Sequence, residues 1–567
     1  MVALPHGAPL PLHSVQHDFG KSPSSPKSNK ILEARREKVK QAFLKSWNSY
    51  KKLAWKYDEL GPLSGEGKNT FGGLAATIMD ALDTLWIMDL KDDFYEAVNA
   101  VAGIDFMKTE DKALNLFETT IRYLGGLLSA YDLSGEQVLL RKAVELGEML
   151  YAAFDTPNRL PGFWLNFADA QAGNQLAGTG DPSASPCSLG LEFTRLSQLT
   201  GDDKYYDAIN RVTELLETYQ NRTALPGMWP TLINFRHETM PSTQFTLGAL
   251  ADSLYEYLPK MYALLGGLEP KYERLYRGAA EAVTEHLLFR PMLPPAVGAQ
   301  DVLFSGTVEV ETNEKGQANT VLDPESQHLT CFAGGMFGLG GKLFRKDRDV
   351  NIGERLTRGC TWGYSQMPTG LLPEIFGMVP CPSIDEDCKW DEQRWVSGGG
   401  HTNHDGNAQA LPGGFRHARD PRYILRPEAV ESAFLLYRMT GKAEFQESAW
   451  TMFESITKAT ETKLAYASIA DVTSKPNNLQ RLDSMESFWF SETLNAGWGV
   501  FATQRLDTRD PLKEVLPTEQ KKFGDRGDEV DPPGESVDTP AMEHATSRVH
   551  FVPITNVYKP TLFLEEL

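Results

Sequence analysis

The sequence predicts an all-α protein whose helices pair into seven hairpins and close into one ring, an (α/α)7 barrel with small β-hairpin and loop insertions. Three observations predict it. Apolar residues recur at helical spacing along most of the 567 residues. The periodic stretches come in pairs joined by short turns, often a glycine followed by an aromatic residue. The first helix of nearly every pair carries an acid close to its start. A helical hairpin cannot bury its apolar face alone, so repeated units must stack or close on themselves. One domain is therefore expected, although a prior of ~150 residues per domain would suggest three or four.

The first thirty residues, "MVALPHGAPLPLHSVQHDFGKSPSSPKSNK", are rich in Pro, Ser and His and lack the charged start and apolar block of a secretory signal, which predicts a disordered lead over 1–30. The basic stretch 31–57 could lie on a membrane surface, but is read as the barrel's first packing helix. Hairpin copies follow at 71–101, 117–151, 191–216, 252–283, 328–360 and 430–456, and a seventh opens at 485–494. The clearest two, "LEFTRLSQLTGDDKYYDAINRVTELL" and "VESAFLLYRMTGKAEFQESAWTMFESI", share a Leu/Met-Thr-Gly turn with Tyr205 or Phe445 downstream. The barrel is expected over 31–505. Beyond "SETL", the stretch "NAGWGVFATQRLDTRDP" replaces an expected apolar helix, and 506–567 reads as a divergent, partly disordered acidic tail.

Composition excludes several function classes. No apolar run reaches the length of a transmembrane helix. The formal charge of -20, from 56 basic and 76 acidic residues, disfavours nucleic acid and anionic membranes as partners. Of five cysteines, Cys381 and Cys388 could close a small ring and Cys331 with Cys360 could tie one helix to the next, with reduced thiols an equal alternative. The sequon Asn221-Arg222-Thr223 leans toward the secretory pathway.

The acids carry the chemistry. "FETTIRYLGGLLSAY" puts Glu118 in the first turn of an apolar helix with Arg122 one turn later on the same side. Glu192, Asp252 with Glu256, Glu428 with Glu431, and Glu486 repeat the placement. A single acid there complements the helix dipole and caps free N–H groups, worth ~0.3 to 1 kcal/mol. Five such positions on parallel helices instead build a ring of carboxylates at one end of the barrel. Charges buried so densely need water, a cation or a polyhydroxy ligand. In "YILRPEAVES", Pro427 suits a first helical turn and biases Arg426 to an extended conformation, turning it toward the space faced by Glu428. Arginine beside clustered carboxylates keeps some ionised while burial keeps others protonated, which separates acid from base. Paired acids around an aromatic-rich cleft suit glycoside hydrolysis. "HTNHDG" at 401–406 reads as a solvated loop, not a metal site.

From Trp47 to Leu494 the chain resembles the class I alpha-mannosidases, glycoside hydrolase family 47, which trim alpha-1,2-linked mannose from N-glycans. The resemblance rests on "ATIMDALDTLWIM", "FETTIRYLGGLLSAYDLSG", "LEFTRLSQLTGD", "ADSLYEYLPKMY", "QHLTCFAGG", "LLPEIF", "YILRPEAVES" and "DSMESFWFSETL", in family order. It implies a seven-hairpin barrel and an inverting mechanism with Glu118 as general acid, Glu428 as base and Asp252 as third carboxylate. It further implies that Arg122, Glu192, Glu256, His328, Glu374, Arg426, Glu431 and Glu486 line the sugar pocket. Leu250, where members that stop after one mannose carry Arg, resembles the broader trimming type. Cys331 and Cys360 fall where members form a disulfide. Members also bind one Ca2+ through a threonine in an "NTEAHP"-like segment; "EVLPTEQ" is the nearest match here, making Thr518 the candidate ligand. The departure from that motif keeps a second reading open, a weakly active or inactive mannose-glycan-binding protein of glycoprotein quality control. The implied setting is the endoplasmic reticulum or Golgi lumen, or secretion, with a monomer acting on high-mannose N-glycans.

Overall fold

The computed structural model describes residues 1–10, 12–19, 26–298, 300–312, 318–400 and 411–501. Helix α1 runs Pro26–Leu53, and the first hairpin pairs α2, Ala76–Ile87, with α3, Lys91–Ala102. The second joins α4, Leu116–Glu118, a π-helical turn Thr119–Leu124 and α5, Gly125–Ser134, to α6, Gln137–Tyr151. Two short insertion helices follow, α7 at Phe167–Gln171 and α8 at Ala184–Cys187. Then come α9, Gly190–Thr200, with α10, Lys204–Tyr219, and α11, Asp252–Leu264, with α12, Lys271–His286. Helices α13, Ala333–Leu343, and α14, Asp347–Gln366, make the next pair. After the short α15, Glu392–Ser397, α16 at Glu428–Thr440 pairs with α17 at Ala443–Thr460. A second π turn, Trp489–Thr493, leads into α18, Leu494–Val500.

The alternation of inner and outer helices follows from their sequences. Helices α2, α5, α11, α13, α16 and α18 are buried over most of their length and pack on one another in succession, with α9 between α5 and α11. Helices α3, α6, α10, α12, α14 and α17 each bury one face against the inner helix before them and leave the other to solvent. One inner-outer join, α13 with α14, brings backbones into contact through glycine and nothing larger: a Cβ on Gly353 of α14 would stand 2.6 Å from the carbonyl oxygen of Gly334 on α13.

The seventh unit corrects the expected repeat. Its inner helix α18 pairs with α1, from the far end of the chain. Val39, Phe43, Trp47 and Tyr50 form the fully buried stripe of α1, each contributing ~1.5 to 3 kcal/mol of burial. The Phe43 ring meets Phe490 edge-on at 5.2 Å, and the Trp47 ring meets it at 5.9 Å. The stretch after "SETL" also differs from expectation: Leu494–Val500 is helical and buried throughout, packed against α1 and α16.

The lead is not disordered where it is described. The amide of Val2 donates to Asp207 Oδ1, that of Leu10 to the Gly266 carbonyl at 2.8 Å, and that of His17 to the Arg438 carbonyl at 2.8 Å. Val15 is fully buried and Phe19 packs between Tyr437 and the Arg438 guanidinium. Proline-rich composition suggested disorder, yet a few apolar side chains suffice when a ready-made groove at the hairpin turns receives an extended chain. The segment therefore straps together the turns after α9, α11 and α16. Residues 506–567 lie outside the described residues.

Phe19→Ala should loosen this strap and lower stability by about 3 kcal/mol. Chemical denaturation followed by tryptophan fluorescence would read it, and an unchanged midpoint would show that the strap carries no stability.

Candidate active site

The inner helices all present their N-terminal ends to one side of the ring, and the insertions between hairpins build the walls there. Glu118 closes α4, whose first turn is capped by Asn115 Oδ1 accepting from the Glu118 amide at 3.1 Å. Asn115 belongs to the strand Ala113–Asn115, paired antiparallel with Trp164–Asn166. The π turn that follows adds a residue to the helical ladder, and Arg122, four residues after Glu118 and on its side of the helix, donates from Nε to Oε2 at 2.9 Å. Asp252 opens α11 and Glu428 opens α16. Before each, a leucine in the left-handed region turns the chain, Leu250 at φ 80° and Leu425 at φ 69°, a conformation costing ~1 to 2 kcal/mol. Leu425 is held there by its carbonyl, which accepts from Thr493 Oγ1 at 2.6 Å.

These pieces meet. Glu118, Arg122, Leu250, Asp252, Arg426 and Glu428 line one cavity of about 260 Å3, with Phe488 across it. His328, Glu374 and Glu486 stand against the lining residues and hold them. His328 Nδ1 is 2.9 Å from Glu428 Oε2, Arg426 Nε donates to Glu374 Oε2 at 2.7 Å, and Arg122 lies 3.8 Å from Glu486. His328 follows the strand Glu325–Gln327, in a three-stranded sheet with Ile375–Met378 and Phe415–Asp420, and its amide donates to the Glu374 carbonyl at 2.9 Å. Glu256 and Glu431 sit one turn further along α11 and α16, buried beside Lys260. Glu192, wholly buried, accepts from Tyr257 Oη at 3.1 Å. Thr518 lies outside the described residues, as do His401 and His404. Cys331 and Cys360 are disulfide-bonded with Cα atoms 6.0 Å apart, and Cys381 with Cys388.

The two arginines organise the charge. Arg122 is ringed by Glu118, Asp80 at 3.7 Å and Glu486, with its guanidinium 4.1 Å over Phe71. Arg426 lies 3.7 Å from Glu428 Oε1. The carboxyls accordingly divide. Burial alone would push Glu428 up, but the His328 hydrogen bond and the charge of Arg426 pull it below the ordinary carboxylate range. Burial pushes Asp252 up to about 7, with Glu256 and Glu428 adding to the rise. Glu192 and Glu59 are pushed up to about 8, both chiefly by burial. Glu431 and Glu492 rise well above their usual value, again through burial first and neighbouring acids second. One ionised carboxylate and one proton-holding carboxyl thus line the same cavity.

Sequence reasoning missed Asp80, Glu59, Glu492, Lys260, Tyr364 and Tyr423. Asp80 and Glu492 were visible as acids deep inside apolar helices; Glu59 lies outside any repeat; the tyrosines look like ordinary core aromatics.

The chain matches the family model "Glycosyl hydrolase family 47" over residues 42–519. It belongs to glycosyl hydrolase family 47. Among members, it is 35% identical to the probable mannosyl-oligosaccharide alpha-1,2-mannosidase 1B of Aspergillus clavatus, over 84% of this chain and 88% of that one. It is also 35% identical to the endoplasmic reticulum mannosyl-oligosaccharide 1,2-alpha-mannosidase of Homo sapiens, over 82% of this chain and 60% of that one. The solved alpha-1,2-mannosidase from Trichoderma reesei superposes with a TM-score of 0.71 at 31% identity, covering 83% of this chain and 94% of that one. The (α/α)7 barrel expected from the repeats is thus the family 47 fold.

Lys260→Met should leave Glu256 and Glu431 buried beside no cation and cost about 3 to 5 kcal/mol. The denaturation midpoint would report this; a stability equal to wild type would mean that both acids stay protonated without help.

Proposed function

We propose that this family 47 enzyme hydrolyses terminal alpha-1,2-linked mannose of high-mannose N-glycans with inversion, acting as a monomer in the endoplasmic reticulum or Golgi lumen, or outside the cell. The single observation that carries the reading is the meeting of Glu118, Asp252 and Glu428 in one cavity, with Glu428 held ionised and Asp252 holding a proton. The names of the relatives favour hydrolysis over the glycan-binding alternative. Two disulfides suit an oxidising compartment.

In this reading a mannose unit enters past Leu250 at the mouth and rests against Phe488. Glu428, ionised and fixed through both oxygens by His328 and Arg426, takes a proton from water as that water attacks the anomeric carbon. Glu118, oriented by Arg122, delivers the proton to the departing glycosidic oxygen, directly or through a bridging water. Asp252 remains neutral below about pH 7 and so adds no charge beside the base. Leu250, exposed at the rim, leaves room for several mannose branches where an arginine would hold one.

Calcium is the expected cofactor, with Thr518 as its protein ligand. The buried residues fit a hard cation: acids far outnumber Arg122, Arg426 and Lys260, and Glu374 Oε1 and Ser491 Oγ are buried without hydrogen-bond partners. Among the described residues no three His, Cys, Asp or Glu side chains gather closely enough to hold a metal, which suits an ion held by hydroxyl, main-chain and water oxygens. When bound, calcium would supply a fixed positive charge that orients sugar hydroxyls.

Glu428→Gln should lower kcat by about 10^2 to 10^4 with KM little changed, read from mannose release. Wild-type kcat/KM should fall as pH rises through about 7, because Asp252 then ionises, and Asp252→Asn should abolish that alkaline limb. A wild-type profile flat from 6 to 8 would remove Asp252 from the mechanism. Chelation should abolish mannose release and added Ca2+ restore it; a Thr518→Ala protein with normal calcium response would exclude Thr518 as the ligand.

A further inference from the structure

Behind Glu428 lies a chain of hydrogen bonds that the reaction does not itself require. His328 places Nδ1 2.9 Å from Glu428 Oε2 and Nε2 2.7 Å from the Tyr364 hydroxyl. Tyr364 hydrogen-bonds the Tyr423 hydroxyl in turn. Tyr423 donates to the main-chain carbonyl of Arg426 at 3.2 Å. All three side chains are buried, at 0 to 2% exposure, so bulk water cannot supply or remove a proton along the way. The disulfide between Cys331 and Cys360 ties the turn bearing His328 to α14, which bears Tyr364.

The far end sets the direction. A carbonyl oxygen only accepts, so Tyr423 must spend its one proton on Arg426. Tyr423 can then only accept from Tyr364, and Tyr364, its proton used, can only accept from Nε2–H of His328. The imidazole must therefore carry a proton on Nε2. A neutral ring with that proton would aim the lone pair of Nδ1 at the carboxylate of Glu428, which is repulsive. One further proton between Nδ1 and Oε2 relieves this.

The surrounding charges decide which partner holds it. Arg426 stands against the other oxygen of Glu428 and favours the carboxylate. Of the acids facing the pair, Asp252 and Glu256 from α11, Glu431 from α16 and Glu492 beside α18 are pushed toward the neutral form and add little charge, whereas Glu374, ion-paired with Arg426 just before the strand Ile375–Met378, favours a positive imidazole. We propose that Tyr364 and Tyr423 are positioning residues that force His328 into the imidazolium form, so that the base Glu428 works as the carboxylate of a buried ion pair whose polarity is set by the Arg426 carbonyl.

This rests on the reading of Glu428 as base, but its first test does not depend on activity. In the full-length protein labelled with 15N-histidine, the His328 signals, assigned by their loss in His328→Gln, should show both ring nitrogens protonated at neutral pH. A ring with one bare nitrogen would overturn the proposal whether or not the enzyme is active. The second test uses Tyr423→Phe, which keeps the ring in the wall but frees the Tyr364 hydroxyl to donate to Nε2. His328 then becomes neutral, its attraction for the Glu428 carboxylate weakens, and Glu428 protonates at higher pH. The acidic limb of kcat/KM should move up by about 1 pH unit or more with KM unchanged. Tyr364→Phe should give the same displacement, and the double variant no more than either alone. An acidic limb that overlies the wild type in Tyr423→Phe, or displacements that add in the double variant, would refute the relay.

Discussion

The structure depends on keeping carboxylates inside helices that have no solvent face. An isolated buried carboxylate is costly enough that it either takes a proton or finds a cation. Here three cations serve many acids. Arg122 is shared by Glu118, Asp80 and Glu486, Arg426 by Glu374 and Glu428, and Lys260 by Glu256 and Glu431. The acids left over, Glu192 and Glu492 among them, are pushed toward the neutral form, and so is Glu431, which shares Lys260 with Glu256. Ionised and protonated carboxyls side by side are therefore the consequence of too few cations among buried acids. That imbalance is what an acid-base mechanism can use.

The barrel supplies positions, and its irregularities supply aim. Glu118 and Arg122, four residues apart, share one helix face, and the π turn Thr119–Leu124 that follows Glu118 widens the ladder at the cavity. A standard entry to α16 would not need a left-handed leucine; Leu425 takes that conformation and Arg426 faces the cavity. The sheet of Glu325–Gln327, Ile375–Met378 and Phe415–Asp420 is an insertion, yet it contributes His328 and Glu374, the two groups that hold Glu428 and Arg426. Left-handed residues also occur at Asp89 and Arg345, in the turns before α3 and α14, so it is the use made of Leu250 and Leu425, next to Asp252 and Glu428, that sets the site apart.

Much of this was legible in the chain. The repeat spacing gave the ring, and acids at successive helix starts gave the site, because helices running the same way must bring their starts together. Glu118, Asp252 and Glu428 share a cavity as that logic requires. Other features were hidden for definite reasons. The partner of the last inner helix lies some 450 residues earlier in α1, and no local pattern announces such a pairing. The lead looked disordered because its apolar residues are few, while the groove that receives Val15 and Phe19 exists only once three hairpin turns have assembled. Lys260 and the tyrosines behind His328 carry no spacing signal, since their importance comes from what they touch across the fold.

Closing the ring and completing the site are one event. The seam between the first and last helices is marked by Trp489 Nε1 donating to Ser46 Oγ at 3.1 Å and Asn495 Nδ2 donating to Thr84 Oγ1 at 2.9 Å. One residue before Phe488, on the same segment, Ser487 accepts from Arg122 at 2.8 Å and donates to Asp80. Arg122 is the group that orients Glu118, so the position of one carboxylate in the cavity depends on a segment 365 residues away closing against α2. Contacts of such separation form late, because loop closure must be completed before they contribute. Until the seam closes, Arg122 and Asp80 lack Ser487 between them and Glu118 has only a loosely held partner. The cavity and its charge pattern are thus properties of the closed ring, absent from any smaller stack of hairpins.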